Sequence, residues 1–509
     1  MNHSPILPIL VPFIAALLQL LLSRRSLALQ RGIGALAALM LVAVSVNLLY
    51  MVDNQAPMVY ALGDWPAPFG IVLVADRLAA LGVMVTSILA AASLLYATGG
   101  FDQKGRHFHA IFQLQLVGIN GAFLTGDVFN LFVFFEVMLL ASYILLAHGG
   151  GLNKSRSGLA YVMLNLAGSA VFLIALGLVY GTLGTLNLAD IALQLQQAPA
   201  SGTALVRLAG ALLITVFVLK AAMLPLSFWL PRAYAAAGIP VAALFAIMTK
   251  VGIYAILRVQ VIAFAPSEAT HDLVGDWLLI AALATIVFAA LGVLTAKKLQ
   301  ALVAWLVLGS AGVLLVAPSL ADSNITAAAL YYLVQSAIAG AAFFMLGGLI
   351  GAARGQAGDA LTASGRLPGN TLKLGFLLLA ATAAGLPPFS GFLGKLMLLS
   401  AVSESGMSGA IWAVILISGL MTTIALAKAG SRLFWEAGGE AGTNKVPAAI
   451  PRRQFLATFG LVGISLLLVV FAQPVSDFTH RTARQLHQPD HYINAVIADH
   501  GTITRVTRP

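Results

Sequence analysis

The feature that most restricts this chain is the recurrence, from end to end, of apolar runs of about 18 residues or more, the length at which a helix crosses a hydrocarbon core roughly 30 Å thick. Of its 509 residues, 60% are hydrophobic and 9% charged. An ordinary globular chain is about a quarter charged, so a water-soluble fold of this size would lack the polar side chains to cover its core. The runs place helices near residues 4–23, 30–52, 71–97, 108–125, 128–149, 158–183, 204–230, 239–262, 273–296, 301–318, 325–352, 373–402, 408–434 and 455–473. These are spans one to fourteen of an all-α polytopic membrane fold. Arg24 and Arg25 follow the first run instead of preceding it, and no small-residue cleavage site comes after it. That predicts an uncleaved first span and a mature chain starting at Met1.

The chain contains no cysteine, which excludes disulfides, thiolate metal sites and cysteine-held iron–sulfur clusters within it. Its net charge of +10 is spread singly and in pairs between the runs, a pattern set by membrane orientation and not by nucleic acid. Arg24, Arg25, Arg31, Lys104, Arg106, Lys154, Arg156 and Arg232 follow spans one, three, five and seven. Lys297, Lys298, Arg354, Arg366, Lys373, Lys428, Arg432, Lys445, Arg452 and Arg453 follow spans nine, eleven and thirteen. The opposite loops hold Asp53, Asp64, Asp127, Glu268, Asp272, Asp276, Asp322 and Glu404, with only Arg207 and Arg258 near their span ends. Lysine and arginine collect on the cytoplasmic side, so both termini are expected outside. The tail runs mildly against this with Arg481, Arg484, Arg505 and Arg508, diluted by Asp477, Asp490 and Asp499. Residues 184–202 mix Leu186, Leu188, Ile191, Leu193 and Leu195 with Asp190, Gln194, Gln196 and Gln197, and read equally as an interfacial helix or an external loop.

Inside the spans remain Asp76 and Arg77 in span three, Glu136 in span five, Lys220 in seven, Lys250 in eight and Lys395 in twelve. A charge at the bilayer centre costs about 2.5–3.5 kcal/mol on insertion scales, so such groups face the protein interior and find partners. Lys220 lies 13 residues from Arg207 and 12 from Arg232, roughly 18–20 Å from either, too deep to snorkel. Glu136 is nine residues past Asp127, Lys395 nine before Glu404, and Lys250 eight before Arg258. Desolvation destabilises a buried ammonium and a nearby carboxylate restores it, so a buried Glu–Lys couple is a switch for proton transfer. The plain alternatives are a static packing pair for Glu136 and Lys220 and a snorkelling or cavity-lining role for Lys250 and Lys395. For Asp76 and Arg77, near an outer helix end, an interfacial anchor is the favoured reading.

Pro225 and Pro231 follow Lys220, and Pro387 and Pro388 precede Lys395. Proline removes a backbone donor and kinks a helix, and broken backbone at membrane depth survives only against protein or a cavity. The two lysine-bearing spans are five helices apart, an odd number, which fits two inverted five-helix repeats. The expected division is 1–107 for spans one to three, 108–262 for the first repeat, 263–434 for the second, and 435–509 for span fourteen and the tail.

The runs GDVFNLFVFFEVMLLASYILLA (126–147), VLKAAMLPLSFWLPRAYAAAGIPVAALFAIMTKVGIYAILR (218–258) and GLPPFSGFLGK (385–395) resemble the antiporter-like subunits shared by respiratory complex I and the Mrp-type multisubunit cation/proton antiporters, and most of all the D-type subunit of the latter. The resemblance implies a fourteen-helix fold with inverted repeats. It implies a proton path in which Glu136 pairs with Lys220, Lys250 relays and Lys395 ends the line. It also implies a place in a hetero-oligomeric complex of the bacterial inner membrane exchanging Na⁺ or K⁺ for protons, with no redox cofactor. Many relatives carry histidine in span eleven where this chain has Gln335, and a charged stretch before span ten reads here as AKKLQALVAW. Glutamine holds water but takes up no proton, so passage from Lys250 to Lys395 is expected through water or Ser336. Asp127 and Asn130 are placed near an outer entrance. No cluster of carboxylates and hydroxyls marks a metal-ion shell, and neither cation is favoured. A proton-pumping module of a redox complex, or a scaffold whose charges only fix packing, are the other classes.

Overall fold

Helix occupies all fourteen expected spans in the computed structural model, which describes residues 3–65, 67–197, 203–264, 270, 273–364, 367–436 and 450–498. Glu268, Asp272, Arg366, Lys445, Asp499, Arg505, Arg508 and residues 198–202 lie outside the described residues. Among those described, eleven helices are long and apolar enough to cross a membrane. The other three expected spans are the 17-residue helix Phe108–Leu124 and the interrupted spans seven and twelve. Span seven divides into Thr203–Lys220 and Trp229–Ala236, and span twelve into Asn370–Ala384 and Ser390–Ala401, both at the prolines. Span eight is also interrupted, into Ile239–Phe245 and Met248–Arg258 followed by a π-helical turn Val259–Ala263. No proline or glycine marks that break in the sequence.

Several boundaries differ from expectation, among them the start of span six at Leu152 and not at 158. Span three begins at Arg77, not at 71, because Asp76 accepts a hydrogen bond from the Ala79 amide (2.9 Å) and caps the helix there. The preceding segment Val72–Ala75 (β2) pairs antiparallel with Met58–Ala61 (β1), Met58 opposite Ala75, with β-branched Val72 and Val74 favouring the strand. Residues Leu188–Gln197 form a helix that buries Leu188, Ile191 and Leu195, so the helical alternative for that segment holds. The tail past span fourteen continues as Ala472–Leu486 and Pro489–Ala498.

Spans four to eight pack in chain order, each on the next, and spans nine to thirteen do the same; in both groups the first span also touches the fifth. The groups meet where the second halves of spans seven and eight cross span ten and the first half of span eight crosses span eleven. Spans one to three and span fourteen surround the first and second groups, with fourteen lying against three and eleven.

Ion pairs tie the ends. Arg77 and Arg481 both bind Asp53 (3.0 and 2.9 Å), so a tail arginine on the side where the charge pattern expects few is neutralised by the second span's end. The interfacial-anchor reading suits Arg77, whereas Asp76 is buried and pairs with Arg258, itself 2% exposed. Arg258 also donates to the Tyr254 hydroxyl (2.9 Å) and lies over the Tyr254 and Tyr492 rings. At the opposite end, Asp102 takes two hydrogen bonds from Arg31 and one from His109. Burial works to raise the Asp102 carboxyl, but those bonds outweigh it and hold it down at about 2.

Breaking a buried ion pair leaves one charge without a partner and costs about 3–5 kcal/mol, whereas apolar replacement of both partners is often neutral. Arg258→Met is therefore expected to lower the thermal unfolding temperature of the detergent-solubilised protein sharply, and Asp76→Leu/Arg258→Met to regain most of the loss. A single variant as stable as wild type would show that Asp76 is solvated through another route.

Candidate functional site

Glu136 and Lys220 form no direct ion pair: among the described residues no contact within 4.0 Å joins them. The gap is bridged by span six. The Ser169 hydroxyl reaches Glu136 Oε1 and also the carbonyl oxygen of Asn165 one turn away (3.0 Å). Lys220 Nζ donates to that same Asn165 oxygen at 3.5 Å and sits 6.0 Å from the Phe135 ring centroid. One hydroxyl proton serves one acceptor at a time, so Ser169 is a two-position connector between the carboxylate and the ammonium's acceptor.

Lys220 is the last residue of its half-helix, where carbonyls run out of helical donors. The protein supplies replacements: Met223 and Ala222 amides bond back to Val218 and Leu219, Trp229 Nε1 donates to Leu219 (3.3 Å), and Thr285 accepts from the Leu224 amide (2.9 Å). Span eight packs directly on this break. A Cβ on Gly252 would stand 2.7 Å from the Ala221 nitrogen, so only glycine permits the approach that sets Lys250, two residues earlier, beside the first lysine's turn.

Lys250 is fully buried and donates to Ser310 Oγ of span ten (3.0 Å). Ser310 opens on two small cavities of about 40 Å³ each. One is lined by Gln335 and Ser336 of span eleven, the other by Lys395, Ser418 and Thr422; Tyr332 and Ala383 border both. A water needs some 10–15 Å³ of such space and two to four polar partners, so each cavity has room for about three or four. Gln335 Oε1 is buried with no protein partner, which leaves it an acceptor for water. Lys395 Nζ turns back across the break to the carbonyls of Ala384 (3.0 Å) and Ala383 (3.4 Å), the negative end of the first half-helix's dipole. Gly385, at φ +82°, ends that half-helix in the left-handed region that glycine adopts without steric cost.

Asp127 caps span five, accepting from the Asn130 amide (2.8 Å), while the Asn130 side chain donates to Thr125 (2.9 Å). Burial pushes the Asp127 carboxyl up to about 6 against these backbone bonds. Both residues are buried, and Asp127 pairs in strand-like fashion with Asn187. The structure thus joins Lys250, Gln335, Ser336 and Lys395, links Glu136 to Lys220 indirectly, and leaves Asp127 and Asn130 apart. Sequence reasoning missed Asn165, Ser169 and Ser310; the signal for the first two is a pair of polar residues at i, i+4 in an apolar helix. Among the described residues no group of three or more His, Asp or Glu side chains is placed to hold a metal ion.

Deep lysines at breaks in a polytopic bundle, joined by hydroxyls and small cavities, define an antiporter-like membrane subunit. Residues 125–423 match the family profile described as NADH:quinone oxidoreductase/Mrp antiporter, transmembrane. The D-type subunit of a probable K⁺/H⁺ antiporter of Rhizobium meliloti is 39% identical over 96% of both chains. The D-type subunit of the Na⁺/H⁺ antiporter of Bacillus subtilis is 34% identical over 98% of this chain and all of that one. The structure resembles a chain of the Mrp complex from a Dietzia species with a TM-score of 0.87 and 26% identity, over 98% of this chain and 100% of the other. The chain belongs to the NADH:quinone oxidoreductase/Mrp antiporter membrane-subunit family.

The break in span twelve has its own test. A Cβ on Gly391 would lie 1.8 Å from the Thr382 carbonyl oxygen, whereas one on Gly419 meets nothing closer than 3.7 Å. Gly391→Ala is expected to separate the half-helices, with loss of thermal stability and of transport, and Gly419→Ala to behave as wild type in both assays. Equal behaviour of the two variants would mean that the half-helix contact is dispensable.

Proposed function

We propose that this chain is the proton-carrying, D-type subunit in a multisubunit Na⁺/H⁺ or K⁺/H⁺ antiporter of the bacterial inner membrane. It is a transporter subunit and not an enzyme, driven by the proton motive force, with the other subunits as its partners. The observation that carries this reading is the polar line through the bundle: Glu136, Ser169, the Asn165 carbonyl and Lys220, then Lys250, Ser310, the two cavities and Lys395. Each lysine is held by neutral acceptors, carbonyl or hydroxyl oxygens, which accept a bond from the ammonium without trapping its proton as a close carboxylate would. Rotation of Ser169 between Glu136 and Asn165 changes what Lys220 feels, and water in the two cavities carries the proton past Gln335.

The same packing order in spans four to eight and nine to thirteen supports their reading as two repeats, 108–262 and 263–434, flanked by 1–107 and 435–509. The basic loops put their own face in the cytoplasm and both termini outside, with Arg481 neutralised by Asp53.

The test is cation-driven collapse of a respiration-generated pH gradient in vesicles from antiporter-deficient cells expressing the whole complex. With Na⁺ and K⁺ tried in turn, Glu136→Ala and Lys220→Ala are expected to cut the rate by about 100-fold or more, the usual size of a lost proton-transfer group, at normal protein levels. Wild-type rates in both would reduce the pair to packing. Absence of antiport with either cation, together with copurifying quinone reductase or hydrogenase activity, would turn the reading to a redox-driven pump. Gln335→Leu/Ser336→Ala, which removes two of the polar groups lining the first cavity, is expected to slow transport while leaving assembly intact; an unchanged rate would route the proton elsewhere.

A further inference from the structure

We propose that a groove between spans two, three and fourteen is a binding site for one anionic phospholipid, in the leaflet that faces the basic loops. The groove encloses about 710 Å³, within the range of roughly 300–1,000 Å³ that small-molecule sites occupy. Its lining on all three helices begins at the basic-loop end and stops at the same depth: Arg31 to Val42, Thr98 to Ile88, and Arg453 to Ile464. Each stretch covers 11 or 12 residues by these numbers, about 15–17 Å of helical rise from first to last, or half of a hydrocarbon core roughly 30 Å thick. A partner's transmembrane helix would need a groove running the full thickness. A single lipid tail needs one leaflet.

The chemistry is divided the same way. The inner stretch is apolar and narrow-walled, and Gly32 and Gly460 have open space where a Cβ would stand. The charge is confined to the mouth. Arg453 is exposed and makes no hydrogen bond or ion pair among the described residues. Arg31 gives Nε and one Nη to Asp102, and the two arginines against that one carboxylate leave the mouth positive. His109 is 2% exposed, and its Nε2 lies 3.0 Å from Asp102. Its Nδ1 has no protein partner and lies 3.4 Å from the Cβ position of Gly34, on the groove's lining. A basic pocket between membrane helices on the cytoplasmic side suits an acidic headgroup. The apolar stretch beneath it has nothing to offer a free phosphate.

The complete complex, purified and stripped of lipid in mild detergent, would be titrated with phosphatidylglycerol or with phosphatidylcholine of the same acyl chains. Native mass spectrometry would count the bound lipid. Wild type is expected to prefer phosphatidylglycerol. Arg453→Gln, losing one basic group at the surface, is expected to bind it about fivefold more weakly with phosphatidylcholine unaffected, and Arg453→Lys to retain the preference. Gly460→Leu, which puts a side chain into the open trough, should lose the site for both lipids. Equal binding of the two lipids by wild type, or undiminished phosphatidylglycerol binding in Gly460→Leu, would overturn the proposal. So would capture of another subunit by a photo-crosslinking residue at position 460. If Gly460→Leu fails to assemble, the Arg453 pair decides alone. None of these positions lies on the Glu136–Lys395 line, so this inference and the transport reading stand or fall separately.

Discussion

A lysine at mid-membrane must take its polar partners from the protein, and in this chain backbone carbonyls and hydroxyls supply them. In an intact helix each carbonyl is already used four residues on and offers only its second lone pair, as Asn165 does within the unbroken helix Leu152–Leu183. A helix that stops inside the bundle leaves several. The Asn165 carbonyl, shared by Ser169 and Lys220, and the Ala383 and Ala384 carbonyls at the end of a half-helix hold two of the three lysines. The third, Lys250, follows a break by three residues and uses a hydroxyl from the other five-span group. At Lys395 the interrupted helix and the buried ammonium group are thus one device.

That device needs close backbone approach, which explains where the bundle has no side chain. Gly252 lets span eight reach the break in span seven, and Gly391 lets the second half of span twelve reach the first. Both positions accept only a hydrogen where a Cβ would stand within 3 Å of backbone. The cavities beside Ser310 are lined wholly by spans nine to thirteen, so the space for water belongs to the second five-span group, and Lys250 of the first reaches it through Ser310.

The ends of the bundle solve a different problem, holding its layers in register. Arg258 of span eight, Asp76 at the start of span three and Tyr492 of the tail meet in one buried cluster, and Asp53 gathers Arg77 and Arg481. At the basic-loop end Asp102 joins Arg31 to His109. Each cluster connects elements far apart in sequence, and each uses a charge that the sequence pattern assigned to a loop or an interface.

The sequence by itself determined the membrane class, helix across each expected span, the two proline-marked breaks and the presence of Glu136, Lys220, Lys250 and Lys395 within those helices. All of these follow from local hydropathy, proline chemistry and the free energy of placing a charge in hydrocarbon, which depend on residue type and spacing alone. Tertiary structure alone decided that Glu136 reaches Lys220 through Ser169 and Asn165, that Lys250 rests on Ser310, that span eight breaks without a proline, and that Asp76 is buried against Arg258. The partners in these contacts are 33 to 182 positions apart in all but the break. A hydrogen bond between distant segments is set by how helices cross, and helix crossing is a sum over many side chains that no local pattern records.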